Sequence, residues 1–412
     1  MVNVVKIITK KANSILSPFS KDSRAVSKWS GRSTELPIQV HMKKALDWLC
    51  VAQDSTPDGG VSRSYHLAKL PYFNFTGWAP SYAETTGYII PTFINAASVL
   101  DKPELEERAI TMADWESSVQ MSSGAVCAGL DLDPATSKPA IFNTGQVLFG
   151  WIKAYQLSGN QSYLQSAIQA GDFLLASLDD DSNWTQNISP CASGGGRNYR
   201  AYNVRSAWAL CLLGKLTGEK KYIAAAVRNA ELIVSTSKQN GWLPNCCLDE
   251  PETPLIHTIA YAARGILEIG LLEEREDLIA AARAMADGVL ENLQADGFLA
   301  GRLDQDWKPT VQWSCLTGTA QMGIVWGKLA SYYGSEKHLD AMKKAISYVS
   351  SKQVTMSGDT KLEGGVPGSY PVSGAYGEYQ LLNWAAKFFV DLLILEEVIA
   401  NNNVQLELSD IY

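Results

Sequence analysis

The sequence predicts an all-α fold, six helical hairpins closed into a ring, on three observations. A helix–turn–helix–loop pattern returns about every 60 residues along the 412-residue chain. Two helix classes alternate, one apolar nearly all round and one amphipathic, which assigns them to an inner and an outer layer. The first helix has no inner mate before it and the last has no outer mate after it, so each completes the other only if the ring closes.

Residues 1–36 carry seven basic side chains against two acidic ones, a balance of +5 that leaves −13 for the rest of a chain totalling −8. They read as a solvated basic leader that can lie on an anionic membrane surface or on polysaccharide-assembly proteins. The run MVNVVKIITKKANSIL is broken by Lys6, Lys10 and Lys11, which suits no secretory signal. No 18-residue apolar window predicts a transmembrane helix. Seven cysteines without CxxC spacing fit a reduced, cytoplasmic protein, one that can sit peripheral to the inner membrane. The acidic body argues against nucleic acid as a partner, since phosphate binding needs basic surface.

The ring spans residues 37–400 and opens with an amphipathic helix at about Ile38–Ala52; residues 401–412 follow as a tail. Inner helices start near Thr86, Thr144, Asn203, His257, Cys315 and Tyr379, at steps of 58, 59, 54, 58 and 64 residues. Each is followed by a short turn, such as DKPE or YGSEK, and an outer helix such as KYIAAAVRNAELIV. The return connections are long, and long loops in a compact domain are usually functional. All six share the pole where the inner helices begin. Six helix N-termini therefore converge there, which favours a negative ligand.

The candidate chemistry lies at that pole. In TPLIHTIAYAARGILEIG (Thr253–Gly270), His257, Tyr261, Arg264 and Glu268 share one face of an otherwise apolar helix, with Thr253-Pro254 as its cap and first turn. The stripe reads either as a hydrogen-bonded core or as the wall of a substrate cavity. Glycine-rich loops carrying Trp78, Trp242, Trp307, Trp313, Tyr370 and Tyr376 suit sugar rings. Acid candidates are Asp58, Glu84, Asp131, Asp133, Asp304, Asp306, Glu363 and Glu378, of which Glu84 and Glu363 stand out among Gly, Ser and Tyr before an inner helix. Two such carboxylates can hydrolyse a glycoside. Proton abstraction beside a sugar carboxylate instead needs a base, here His257, Tyr261 or Tyr202, and neutralising groups such as Asn203 and Arg205. Asn143 in IFNTGQ and Arg63, Arg197, Arg200 and Arg302 add to that set. Cys127, Cys191, Cys246, Cys247 and Cys315 fall near the same pole, but without CxxC or HxxxH spacing neither a metal nor another cofactor is expected.

The blocks ETTGYIIPT, IFNTGQVLFGWIKAY, YNVRSAWAL, PLIHTIAYAARGILE, CLTGTAQMGIVW and GSYP…NWAAKFF resemble VpsJ-like proteins of bacterial exopolysaccharide clusters. That group is similar to the (α/α)6 toroid superfamily of six-hairpin glycosidases, polysaccharide lyases and sugar epimerases. The resemblance covers about Ile38–Leu395 and implies the toroid fold, a saccharide substrate and a setting in polysaccharide biosynthesis, without assigning catalytic residues. The terpene-cyclase branch fits poorly, since its DxDD acid would be LDDD here with Leu178 in the first acidic place; the zinc branches lack an adjacent Cys–His pair. The expectation is an enzyme that abstracts a proton from an acidic saccharide, of epimerase or lyase type. The alternatives are a paired-carboxylate glycoside hydrolase and a non-catalytic ring that binds glycan or scaffolds assembly proteins.

Overall fold

The computed structural model describes residues 36–71, 73–130, 132–133, 136–188, 199–400 and 406–412. Among them twelve α-helices alternate as the period predicts. The outer layer is α1 (Ile38–Asp54), α3 (Glu104–Val119), α5 (Gln161–Ala176), α7 (Lys220–Ser235), α9 (Glu276–Leu290) and α11 (Glu336–Ser350). The inner layer is α2 (Ala83–Leu100), α4 (Ile141–Ser158), α6 (Val204–Thr217), α8 (Ile256–Leu272), α10 (Leu316–Tyr333) and α12 (Asn383–Ala400). Successive inner helices pack side by side, and α12 returns against α1 and α2, so the ring is closed as an (α/α)6 toroid.

Burial follows the sequence pattern. Every residue of α8 from Ile256 to Gly270 is buried, and likewise α10 from Leu316 to Ala330. Helix α7 buries one stripe, Tyr222, Ala225, Ala226, Asn229, Ala230 and Ile233, as an outer helix with a single covered face must. The inner helices meet backbone to backbone. A Cβ on Gly265 of α8 would lie 2.8 Å from the main-chain nitrogen of Arg205 in α6, and one on Gly318 of α10 would lie 2.7 Å from that of His257.

Short strands, which the helical periodicity does not predict, tie the long loops together. Strand β1 (Ser64–His66) pairs antiparallel with β2 (Gly77–Trp78) and with β5 (Gln380–Leu382), setting Tyr65 opposite Trp78 and Leu381. This links the first long loop to the last across the ring closure. Strand β3 (Ser314–Cys315) pairs with β4 (Ser369–Tyr370). Helix α8 begins at Ile256 with no side-chain cap; Thr253 instead bonds Glu250 at 2.9 Å, because the β-bridge of Leu255 to Arg302 holds the chain extended up to the helix.

The lower half of the α8 stripe takes the core reading. Arg264 Nε donates to Glu268 at 2.5 Å, and Lys328 of α10 bonds the same carboxylate. Beside them Lys387 donates to Asp391 at 2.5 Å and Thr92 to the other Asp391 oxygen at 2.7 Å. Burial would raise the Glu268 carboxyl, but Lys328 and Arg264 outweigh it and hold the group below its ordinary value. Residues 410–412, read from sequence as part of a separate tail, enter this cluster. Arg264 donates to the Ile411 carbonyl at 2.5 Å, Lys387 to the Tyr412 main-chain oxygen at 2.8 Å, and Lys153 to Asp410 at 2.7 Å. The Tyr412 ring packs on Phe149 and Trp208 with centroids 5.6 and 5.9 Å away. Residues 410–412 thereby cover the axis on the short-turn side, beside a cleft of about 680 Å³ that Glu268, Lys328 and Leu408 line. Residues 1–35 and 401–405 of the leader and tail lie outside the described residues.

Two substitutions test this account. Gly265→Ala should lower stability by about 1–3 kcal/mol, because the methyl meets main chain that cannot yield locally. Tyr412→Ala should cost roughly 3–5 kcal/mol by removing a buried ring. Thermal and urea midpoints check both.

Candidate active site

The upper half of the α8 stripe faces a cavity of about 590 Å³ at the long-loop pole. Its floor is made by the first turns of the inner helices and its rim by the loops before them. Glu84, His257, Tyr261, Tyr202, Asn143, Arg63 and Tyr376, all singled out in the sequence, line it.

Helix α8 presents His257 and Tyr261 on successive turns, their rings 4.4 Å apart, and Tyr376 from the last long loop covers His257 at 5.2 Å. His257 Nδ1 lies 2.8 Å from Gln321 Oε1 on α10. An amide oxygen only accepts, so Nδ1 carries the proton and the Nε2 lone pair is free. Burial pushes the imidazole down to about 3, Gln321 opposing and Arg205 adding to the shift, so it is neutral at ordinary pH.

Glu84 sits in the first turn of α2 and accepts from the Tyr82 hydroxyl at 2.7 Å. Burial raises its carboxyl above the ordinary value, against the Tyr82 hydrogen bond and the charges of Arg63 and Arg205. Burial likewise raises the Tyr261 phenol, whose hydroxyl lies beside that of Tyr88 without a hydrogen bond of good geometry. Arg63 stacks over the Trp384 ring at 4.8 Å and donates to Gln380 at 3.2 Å. It has no carboxylate partner among the described residues, which leaves its charge available to a ligand.

Several expected site residues lie elsewhere. Glu363 is not across the cavity from Glu84: it pairs with Lys44 of α1 at 2.5 Å and accepts from the Ser357 amide at 2.7 Å, anchoring the last loop. Trp78 packs on Trp48 and Tyr65 at 5.3 and 5.1 Å, Trp313 covers Gly301, and Tyr370 lies under Lys352 at 4.3 Å; none lines the cavity. Asn203 and Arg205 are buried behind the wall. Arg302 is taken by Asp249 at 2.9 Å, and Arg200 donates to the Tyr199 carbonyl at 2.6 Å. Asp58 and Asp304 accept main-chain amides within their own turns. Asp131, Cys191 and Arg197 fall outside the described residues. Among the described residues no group of three or more His, Cys, Asp or Glu side chains gathers as a metal would need, and Cys246 donates to the Thr258 carbonyl.

Sequence reasoning missed Tyr82, Tyr88, Gln321 and Lys138, the last on the cavity rim. Tyr88 follows Glu84 by one helical turn within PSYAETTGY, a spacing that puts both on one face, whereas Tyr82 is the extended residue before the helix and carries no such signal. Gln321 had none, since its partner is 64 residues away.

No family profile matches this chain, and no curated protein does. Solved structures do. An unsaturated glucuronyl hydrolase specific for heparin superposes with a TM-score of 0.69 at 14% identity, over 90% of this chain and 99% of that one. A cellobiose 2-epimerase from Bacillus thermoamylovorans gives 0.68 at 13% identity, over 87% and 98%. An unsaturated glucuronyl hydrolase from Streptococcus agalactiae gives 0.62 at 13% identity, over 92% and 95%. These neighbours belong to the six-hairpin glycosidase-like superfamily, and their (α/α)6 toroid is the fold of this chain.

Proposed function

We propose that this chain is an enzyme that moves a proton on an acidic saccharide, as an epimerase or a lyase of uronic-acid-containing sugars. The observation that carries the reading is the neutral His257, its lone pair turned out by Gln321, in one cavity with a buried carboxyl and an unpaired guanidinium. The neighbours, hydrolases of glucuronyl units and an epimerase of cellobiose, support a saccharide as the ligand.

His257 Nε2 takes the proton from the carbon beside the sugar carboxylate. The C–H electron pair moves into the carboxylate, and Arg63 offsets the extra charge. Arrival of that carboxylate also raises the basicity of the imidazole, because a negative charge nearby favours the cation. Glu84, whose carboxyl burial raises above its ordinary value, then returns a proton to the opposite face. In the lyase variant the pair instead expels the neighbouring C–O oxygen, which Glu84 protonates. Paired-carboxylate hydrolysis would need a second carboxylate, and Glu84 is the one acid among the described lining residues. A setting in polysaccharide assembly, with residues 1–36 on an anionic membrane, belongs to the same proposal. No helix among the described residues is long and apolar enough to cross a membrane.

Incubation with uronic-acid oligosaccharides in D₂O should place deuterium in the sugar, or yield an unsaturated product absorbing in the near ultraviolet. His257→Gln should reduce kcat by about 10²–10⁴. Accumulation of reducing ends alone, without deuterium or absorbance, would replace this reading by hydrolysis; no turnover at all, with binding intact, would leave a glycan-binding ring.

The pH profile gives a second check. Because burial raises the Glu84 carboxyl and the acid is active when protonated, kcat should fall as pH rises through a limb above the ordinary carboxylate range. Glu84→Gln should abolish that limb along with most turnover.

A further inference from the structure

Arg205 is a charge without an obvious reason to be where it is. It lies in the first turns of α6, 1% exposed, among the largest fully buried side chains of the molecule. Four aromatic rings box its guanidinium: Phe149, Trp208 and Tyr261 with centroids 5.1 Å away, and Phe388 at 5.5 Å. Nε donates to Gln146 at 2.7 Å, while Nη2 is buried with no hydrogen bond. No carboxylate pairs with it among the described residues. A structural arginine taken this deep would be matched by an acid, since an uncompensated buried charge is costly. The cations below it do have such partners: Arg264 and Lys328 hold Glu268, and Lys387 holds Asp391.

The guanidinium is one ring's thickness from the cavity. Tyr261, on which it stacks, lines the cavity, and Phe388 packs against Tyr88, which also lines it, at 5.4 Å. Aromatic rings exclude water without screening a charge as water would, so the field reaches through. The approach is fixed by the backbone, Gly265 of α8 meeting the Arg205 amide.

We infer that Arg205 is a positioning residue that never touches the ligand: its caged charge makes the cavity floor positive and favours an anionic sugar over a neutral one. The groups it acts among are Arg264, Lys387 and Asp391 on the axis side, and Tyr88, Tyr261, Glu84 and His257 on the cavity side. His257 also meets Tyr376 from the last loop and Cys315, whose sulfur accepts from the His257 amide. Burial lowers the Arg205 guanidinium to about 10, which leaves it charged throughout the working range. This inference rests on the reading of the cavity as an acidic-saccharide site.

The test compares Arg205→Met, which keeps length and loses charge, with Arg205→Lys, which keeps charge. Calorimetric binding of glucuronate and of glucose is measured on each. Arg205→Met should weaken glucuronate on the order of tenfold and leave glucose unchanged, while Arg205→Lys retains most of the preference. Equal weakening of both sugars, or equal loss in the lysine variant, would mean a purely structural role. If Arg205→Met does not fold, Arg205→Gln serves, since it can keep a bond to Gln146. A second readout needs no sugar. The imidazole nitrogens of the four histidines are titrated by NMR, with His257 assigned through His257→Gln. Removing the charge should move His257 protonation up by on the order of one pH unit, and an unmoved titration overturns the inference. Should neither sugar bind the native protein, the saccharide reading fails, and the histidine titration alone decides the role of Arg205.

Discussion

Everything in this molecule depends on how closely six inner helices can approach around one axis. A ring of helices with ordinary side chains at every contact would leave a wide bore. Here glycine at the contacts, such as Gly265 against Val204–Arg205 and Gly318 against Ile256–His257, lets backbone meet backbone. The bore shrinks to the width of a few side chains, so whatever projects inward is removed from water. Large apolar groups fill most of it, and each polar group must find a partner within the ring or serve a ligand.

The two poles solve that requirement differently. Towards the short turns, buried cations and acids pair with one another and with the main-chain oxygens of residues 411 and 412. Towards the long loops the polar groups stop short of satisfaction. The Nε2 lone pair of His257, the Tyr261 hydroxyl and the Arg63 and Arg205 charges are left facing, or lying behind, a space large enough for sugar rings. Under-satisfied polar groups around a cavity are what a binding site needs and what a core avoids.

The electrostatics run against the overall charge. A chain with a net charge of −8 has a cavity whose floor and rim carry Arg63 and Lys138 with Arg205 behind, against one carboxyl, Glu84, among the described lining residues. The inner-helix N-termini point the same way. Acidic residues instead sit in the first turns of outer helices, such as the exposed Glu104 and Glu107. Surface charge and site charge are thus set independently, and the former says little about the ligand.

The ring itself was legible in the chain. A 60-residue period, two helix classes and an unmatched helix at each end are properties of sequence order, and closure is the one arrangement that covers every apolar face. The pole that holds the cavity was legible too, because loop length alternates with the period. What order along the chain could not decide was depth. His257, Tyr261, Arg264 and Glu268 share one helical face, and periodicity gives the face but not where along the axis water ends. Tertiary packing divides that stripe, Tyr412 and Lys328 closing over its lower half while Gln321 and Tyr376 frame the upper. Likewise Glu84 and Glu363 sit among the same residue types on the approach to or in the first turn of inner helices, yet Lys44, 319 residues from Glu363, draws that one to the outer wall. Partners so distant in sequence leave no local trace, and they decide which of two similar carboxyls lines the cavity.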